Sequence, residues 1–189
     1  MAKKSLMPTT LLTPLPAVLV ACGDIDDRPN IITIAWCGIV CSKPPMISVS
    51  ITEKRYSYEL IKKSGEFVVN MTGSNLVKEV DFCGNNSGRD FDKFKTTGLT
   101  PEPAQKIKAP LIKESPINLE CMVRQTLNLG SHYIFIAEIV ATHIDKSILN
   151  SDGALDVEKL DPLIYAANAR QYWSGLSKVH GFYGYTKGK

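Results

Sequence analysis

The apolar positions in the first third of the chain fall into short runs separated by turn residues. Ala17-Val-Leu-Val-Ala-Cys22 precedes the turn Gly-Asp-Ile-Asp-Asp-Arg-Pro. Asn30-Ile-Ile-Thr-Ile-Ala-Trp36 is rich in β-branched residues and leads on to Ser42-Lys-Pro-Pro45, and Met46-Ile-Ser-Val-Ser-Ile51 follows. These runs predict three strands joined by loops too short for crossover helices, hence antiparallel neighbours. In the third, Ser48 and Ser50 alternate with Ile47, Val49 and Ile51, the mark of a half-buried strand. Tyr58, Leu60 and Ile61 against Lys62 and Lys63 predict a helix stopped by Ser64-Gly65. Glu66–Met71 reads as a fourth strand, and residues 75–97 as two short helical pieces around a polar loop, Cys83–Asp90. Beyond a proline-containing segment, Ile117–Leu129 and His132–Asp145 are two long strands turned at Gly130-Ser131. From about 150 the chain reads as loop and turn carrying Tyr165, Tyr172, Trp173, Phe182, Tyr183 and Tyr185.

Six mostly sequential strands with few helices predict a mainly β (α+β) fold, a small closed antiparallel barrel with helical insertions over its openings. There is no βαβ rhythm and no G-x-G-x-x-G, which excludes a Rossmann domain. The 189 residues fit one domain spanning 1–189. With 44% hydrophobic and 22% charged residues the composition excludes a disordered, collagenous or coiled-coil chain. A net charge of +3 is too small to argue for a nucleic-acid partner.

Five cysteines, without a C-x-x-C pair, give no metal site, and the Cys37–Cys41 spacing does not suggest one. The reading is a reduced, cytoplasmic protein. Lys3 and Lys4 before Leu19-Val-Ala-Cys22 imitate a lipoprotein signal, but Pro8, Pro14 and Pro16 interrupt its apolar region. Export is therefore not expected. No apolar run approaches the roughly 20 residues of a membrane helix.

The usual catalytic signatures are missing, and His132, His143 and His180 are widely separated. Any chemistry here is expected to come from a cofactor. Three segments are candidates for holding one. Around Lys54-Arg55-Tyr56-Ser57, a helix start would offer free N–H groups and positive charge to a phosphate; on its own it reads more simply as a capped surface helix. In Ser87-Gly88-Arg89-Asp-Phe-Asp-Lys93, the spacing of Arg89 and Lys93 allows both on one helix face as a second phosphate grip, or as members of solvated ion pairs. In Asn30-x-x-Thr33-x-x-Trp36, strict alternation separates Asn30 from Thr33, and Trp36 fits a core, an interface or a site.

In this order the segments, with Pro44-Pro-Met-Ile-Ser48-Val-Ser50, Gly65-Glu-Phe-Val-Val-Asn70, Ser115-Pro-Ile-Asn-Leu-Glu120-Cys and Gly130-Ser-His132-Tyr-Ile-Phe-Ile-Ala-Glu138, closely resemble the flavin reductase-like, FMN-binding split-barrel family. The flavoredoxin branch is the most similar, over about residues 10–145. The resemblance implies an FMN-binding split barrel. Asn30, Thr33 and Trp36 would line the isoalloxazine, and Ser48 and Ser50 would face the ring or ribityl chain. Arg55, Tyr56 and Ser57 would hold the phosphate, with Lys93 and Arg89 reaching the same anion. His132 would stand at the open face of the flavin as the catalytic candidate, and Tyr165 would be an aromatic neighbour. The hairpin departs from the family in reading Gly-Ser-His rather than Gly-Asp-His.

The resemblance further implies a homodimer, with the tail from about 150 at its interface. The first functional reading is an NAD(P)H-dependent flavin reductase, an oxidoreductase passing hydride from NADH or NADPH to FMN and then electrons to a redox protein or free flavin. The second is a flavoredoxin-like electron carrier that serves other redox proteins without nicotinamide. The third is an FMN-binding barrel with an oxidase or storage role.

Overall fold

A computed structural model describes residues 2–181, 183–184 and 186. In chain order its elements are β1 (Leu15–Pro16), β2 (Val18–Cys22), β3 (Asn30–Ile34), β4 (Cys37–Ser42), β5 (Pro45–Ile51), α1 (Tyr56–Ser64), β6 (Glu66–Met71), α2 (Val77–Asn85) and α3 (Lys93–Thr97). There follow β7 (Pro101–Glu102), β8 (Leu111–Ile112), β9 (Ile117–Asn128), β10 (Tyr133–Ile144), α4 (Val157–Leu160), β11 (Ile164–Ala166) and β12 (Gln171–Trp173).

Seven strands form one antiparallel sheet in the order β3-β2-β6-β9-β10-β5-β4. The sheet curls as a split barrel: β3 at one end runs on through Ala35-Trp36 into β4 at the other, and at that corner the Ser50 N–H of β5 donates to the Trp36 carbonyl at 2.9 Å, prolonging the β4–β5 ladder. Val18, Val20, Ile32, Ile47, Val49, Phe67 and Phe135 fill the inside, with Tyr58 and Ile61 of α1 packed among them. Leu19, Ala21, Ile31 and Val68 point the other way, against Leu76 and Val80 at the start of α2. Covered on both faces, β2 is buried at every position. That is why it reads as an unbroken apolar run rather than an alternating one.

Helix α1 stops where the sequence predicts: Gly65 adopts φ 71° and its N–H donates to the Ile61 carbonyl, a left-handed cap that costs glycine little. The long β9–β10 hairpin turns at Gly130-Ser131, also as expected, with Gly130 at φ 93°.

Four sequence expectations need correction. The first three runs are not successive neighbours: β2 pairs with β3, but β5 pairs with β4 and β10. The missing partner is β4, which lies in what read as a loop; mostly exposed on both faces, it leaves no alternation to detect. Cys83 and Asn85 belong to α2 rather than to a polar loop. Beyond 150 the chain is not only loop, since α4 forms there and β11 and β12 join β1 in a three-stranded sheet. Phe182 and Tyr185 lie outside the described residues.

All five cysteines are free. Cys22 closes β2 at zero exposure, inside the segment that imitates a lipoprotein signal. Among the described residues no helix is long and apolar enough to cross a membrane, and no cluster of three or more His, Cys, Asp or Glu side chains is placed to hold a metal.

Candidate functional site

Strand β3 ends the sheet, so one of its edges has no strand beside it. The start of α1, the end of α2 and the loop 86–92 gather along that edge. A small cavity of about 80 Å³ there is lined by Asn30, Arg55, Tyr56, Ser57, Gly88 and Lys93, among others. A larger cleft of about 210 Å³ continues along the strand, sharing Ile32 and Arg55 and reaching Thr33, Trp36, Ser50 and His132.

Lys93 is the electrostatic centre of the small cavity. Its side chain is 3% exposed, and the ammonium donates at 2.7 Å to the carbonyls of Ile31 on β3 and Cys83 on α2. No carboxylate pairs with it among the described residues. Burial, with the Arg55 guanidinium nearby, holds the Lys93 ammonium below the usual lysine range. Two bonded carbonyls leave one N–H donor free. A buried cation with only neutral partners favours a bound anion.

The rest of the cavity is built by close contact. Asn30 is buried and donates through Nδ2 to Ser57 Oγ at 2.8 Å. Ser57 therefore sits inside α1 rather than capping it. The cap is Arg55, whose side chain makes no capping bond and stays exposed. Gly88 closes the loop over this pair: a Cβ there would stand 2.1 Å from Asn30 Oδ1 and 2.9 Å from Tyr56 Cδ1. Gly88→Ala should therefore push Asn30 off Ser57 and destabilise the protein by about 1–3 kcal/mol. Thermal unfolding of the purified variant measures this, and an unchanged midpoint would show that the loop yields freely.

Arg89 and Lys93 do not share a helix face, because α3 begins only at Lys93, with Asp92 as its cap. The Arg89 guanidinium is instead held by Glu59 and by the Lys54 carbonyl, and stacks over the Tyr56 ring at 5.4 Å. Arg28, which the sequence did not single out, donates to the Gly88 carbonyl at 3.0 Å. Both arginines fasten the loop from outside.

At the far end of the cleft, Trp36 and His132 stack with ring centroids 4.6 Å apart. His132 Nδ1 lies 2.9 Å from Ser131 Oγ, so the serine of the Gly-Ser-His turn is its hydrogen-bond partner. Ser48 and Ser50 line an adjoining apolar cavity with Trp36 and the arm residues Leu11 and Leu12. Thr33 faces away from the barrel, its hydroxyl donating to the Val80 carbonyl and its side chain against Gly84. Tyr165 stands apart with Tyr172, the ring centroids 5.3 Å from each other, in a third cavity that meets the cleft at Thr33 and Ala35. His143 is remote from the cleft, bonded through Nε2 to the buried Glu120 at 2.7 Å.

The flavin reductase-like domain model matches residues 10–174. The structure is similar to flavoredoxin of Desulfovibrio vulgaris (Miyazaki F), with TM-score 0.90 and 37% identity over 100% of both chains. It is also similar to a flavoredoxin from Methanosarcina acetivorans, with TM-score 0.85 and 30% identity over 95% of each. A protein of Archaeoglobus fulgidus is 35% identical over 146 residues, 77% of this chain and 80% of its own length. A curled antiparallel sheet, an edge strand facing a cationic cavity and these likenesses agree: the chain belongs to the flavin reductase-like domain family.

Proposed function

We propose that this protein is a cytoplasmic FMN-binding oxidoreductase of one domain, passing electrons from NADH or NADPH through FMN to a redox protein or free flavin. The observation that carries the reading is Lys93, a buried ammonium without a carboxylate, next to Arg55 and at one end of a cleft closed by Trp36 and His132. FMN has matching parts, a terminal phosphate and a flat redox-active ring. When bound, it supplies the reaction itself, accepting two electrons and releasing them to an acceptor.

The protein's residues bind, orient and gate. Lys93 and Arg55 hold the phosphate, and the α1 N-terminus adds free N–H groups. Asn30 fixes Ser57 beside it. Tyr56, held by Arg89, forms the cavity's wall. The unpaired edge of β3 offers backbone donors and acceptors to the polar rim of the ring. Trp36, Ser50 and His132 shape the cleft around that ring, and Ser48 extends the wall beyond it. Thr33 acts indirectly, pinning α2 to β3. Tyr165 stands beyond the ring's site, in the cavity that adjoins the cleft.

Phosphate contacts do not change during electron transfer, so they contribute uniform binding. Arg55→Ala should weaken FMN affinity about tenfold or more, since hydrogen bonds to charged groups are worth roughly 1.5–3 kcal/mol. Reduction of the FMN-saturated variant should stay near the wild-type rate. His132→Ala should retain FMN and slow reduction. FMN titration of each apoprotein and stopped-flow reduction of the saturated forms separate the two roles, and the opposite pattern would exchange the assignments.

The overall reaction is tested by aerobic mixing with NADH or NADPH and excess free flavin. Steady nicotinamide oxidation supports the reductase. Tight FMN without nicotinamide oxidation supports the second reading, an electron carrier, which the 37% identity to a flavoredoxin favours. Colourless protein that takes up no FMN at micromolar concentration would refute both.

The homodimer belongs to the same proposal. Leu11 and Leu12 in the N-terminal arm, Ile39 and Val40 on β4, and Trp173 on β12 are all exposed. Large exposed apolar side chains in this number support an interface that includes the tail. Light scattering should give twice 20.8 kDa, and a monomer that binds FMN would remove the dimer from the proposal.

A further inference from the structure

The cavity around Lys93 is roofed by the loop 86–92, which contributes Asn86, Ser87 and Gly88 to its lining. Hydrogen bonds within the loop are local: the Asp90 and Phe91 N–H groups donate to the Ser87 carbonyl, and the Arg89 N–H donates to Ser87 Oγ. Among the described residues, every hydrogen bond that ties residues 87–91 to the rest of the chain comes from two arginines. Arg89 crosses to the start of α1, onto Glu59 and the Lys54 carbonyl. Arg28 reaches in from the turn between β2 and β3. Its Nη2 donates to the Gly88 carbonyl at 3.0 Å and to the Arg89 carbonyl at 3.4 Å. Arg28 stands behind the loop, in an outer cavity with Asp27, Asp92 and Lys95, and is in no ion pair among the described residues. On the inner side the loop has no room to move, since a Cβ on Gly88 would stand 2.1 Å from Asn30 Oδ1. It can open only outward, and Arg28 holds it against that movement.

We propose that Arg28 is a positioning residue that sets how fast FMN enters and leaves, by keeping the loop 86–92 shut over the phosphate from the side the phosphate does not touch. The inference rests on reading the cleft and its small cavity as the flavin site. Opening the loop breaks the same Arg28 bonds whether or not a phosphate lies beneath it. The strap therefore slows entry and exit by the same factor. Affinity stays with the residues that face the phosphate, whose loss acts mainly on dissociation. FMN so held is a resident group rather than a substrate exchanged at each turnover.

The test uses Arg28→Ala, with Arg28→Lys as the conservative variant, in about 0.15 M salt so that exposed charges more than roughly 8 Å apart are largely screened. Quenching of flavin fluorescence follows FMN association with the apoprotein, its recovery on dilution follows dissociation, and each variant is also melted. Arg28→Ala should raise both rate constants about tenfold, the factor carried by one charged hydrogen bond at the low end of its range, and change their ratio by less than about twofold. Arg28→Lys should restore most of the slow exchange, because an ammonium also donates to a carbonyl. Faster dissociation with unchanged or slower association overturns the inference, since Arg28 would then act on the phosphate as a charge. Unchanged rate constants, with or without a lower melting midpoint, overturn it as well and leave Arg28 a structural role alone. Both results leave the flavin reading standing. Wild-type apoprotein that takes up no FMN overturns that reading and this inference with it.

Discussion

Lys93→Met should lower FMN affinity about a hundredfold, the largest effect expected of any single substitution in the site. The ammonium is 3% exposed and faces no carboxylate among the described residues. A phosphate would be its only charged partner, held where water screens little. A charged hydrogen bond at the upper end of its usual range, about 3 kcal/mol, corresponds to that factor. The substitution also orphans the Ile31 and Cys83 carbonyls, costing the apoprotein roughly 2 kcal/mol or more. Ligand-induced stabilisation separates the two effects. The wild type should melt higher as FMN is added, by linkage; the variant should melt lower at the outset and respond little. A variant as FMN-responsive as the wild type would remove Lys93 from the phosphate site.

The second large effect lies away from the cleft. Glu120 is fully buried on β9, yet its carboxylate accepts the Gln105 and Lys106 N–H groups at 2.8 Å and meets His143 Nε2 at 2.7 Å. It staples the proline-containing segment to the barrel. Burial alone would raise its affinity for a proton, but the two N–H groups and His143 outweigh this and hold the carboxyl below the usual glutamate range. A lowered carboxyl pKa contributes stability that is fully present above the unfolded-state value, near ~4.3, and is lost as pH falls through the folded-state value. Glu120→Ala leaves those donors without a partner and should cost about 3–5 kcal/mol, roughly 10 °C or more in a chain of this size. Glu120→Gln should lose less, and its stability should vary less with pH below about 5 than that of the wild type. Thermal melts between pH 4 and 7 measure both. Parallel wild-type and Glu120→Gln pH profiles would show that the carboxylate's charge is immaterial.

The tight constraint at Gly88 and the double burial of β2 show how unevenly such features are legible. The run Val18–Cys22, the alternation through Ile47–Ile51, the Gly65 stop and the Gly130 turn were readable because each rests on neighbours in sequence: a repeat of two, a helical face, a residue free to take positive φ. The order of the flavin-family segments was readable in the same way, and the family match over residues 10–174 agrees with it.

Pairing was readable only between strands joined directly by a turn, β2 with β3 and β9 with β10. Strand β4 is exposed on most of its length and exists because β5 lies beside it, and β11 and β12 depend on β1, about 150 residues earlier. Side-chain assignments divided along the same line. The sequence brought out Arg89 and Lys93 together by their spacing of four, but Asp92 starts the helix between them. One was left outside with Glu59 and the other was buried against two carbonyls. Local composition determined the strands, the turns and the family; the choice between a solvated charge and a cation awaiting an anion was made only when distant segments closed around it, because burial is a property of the assembled fold.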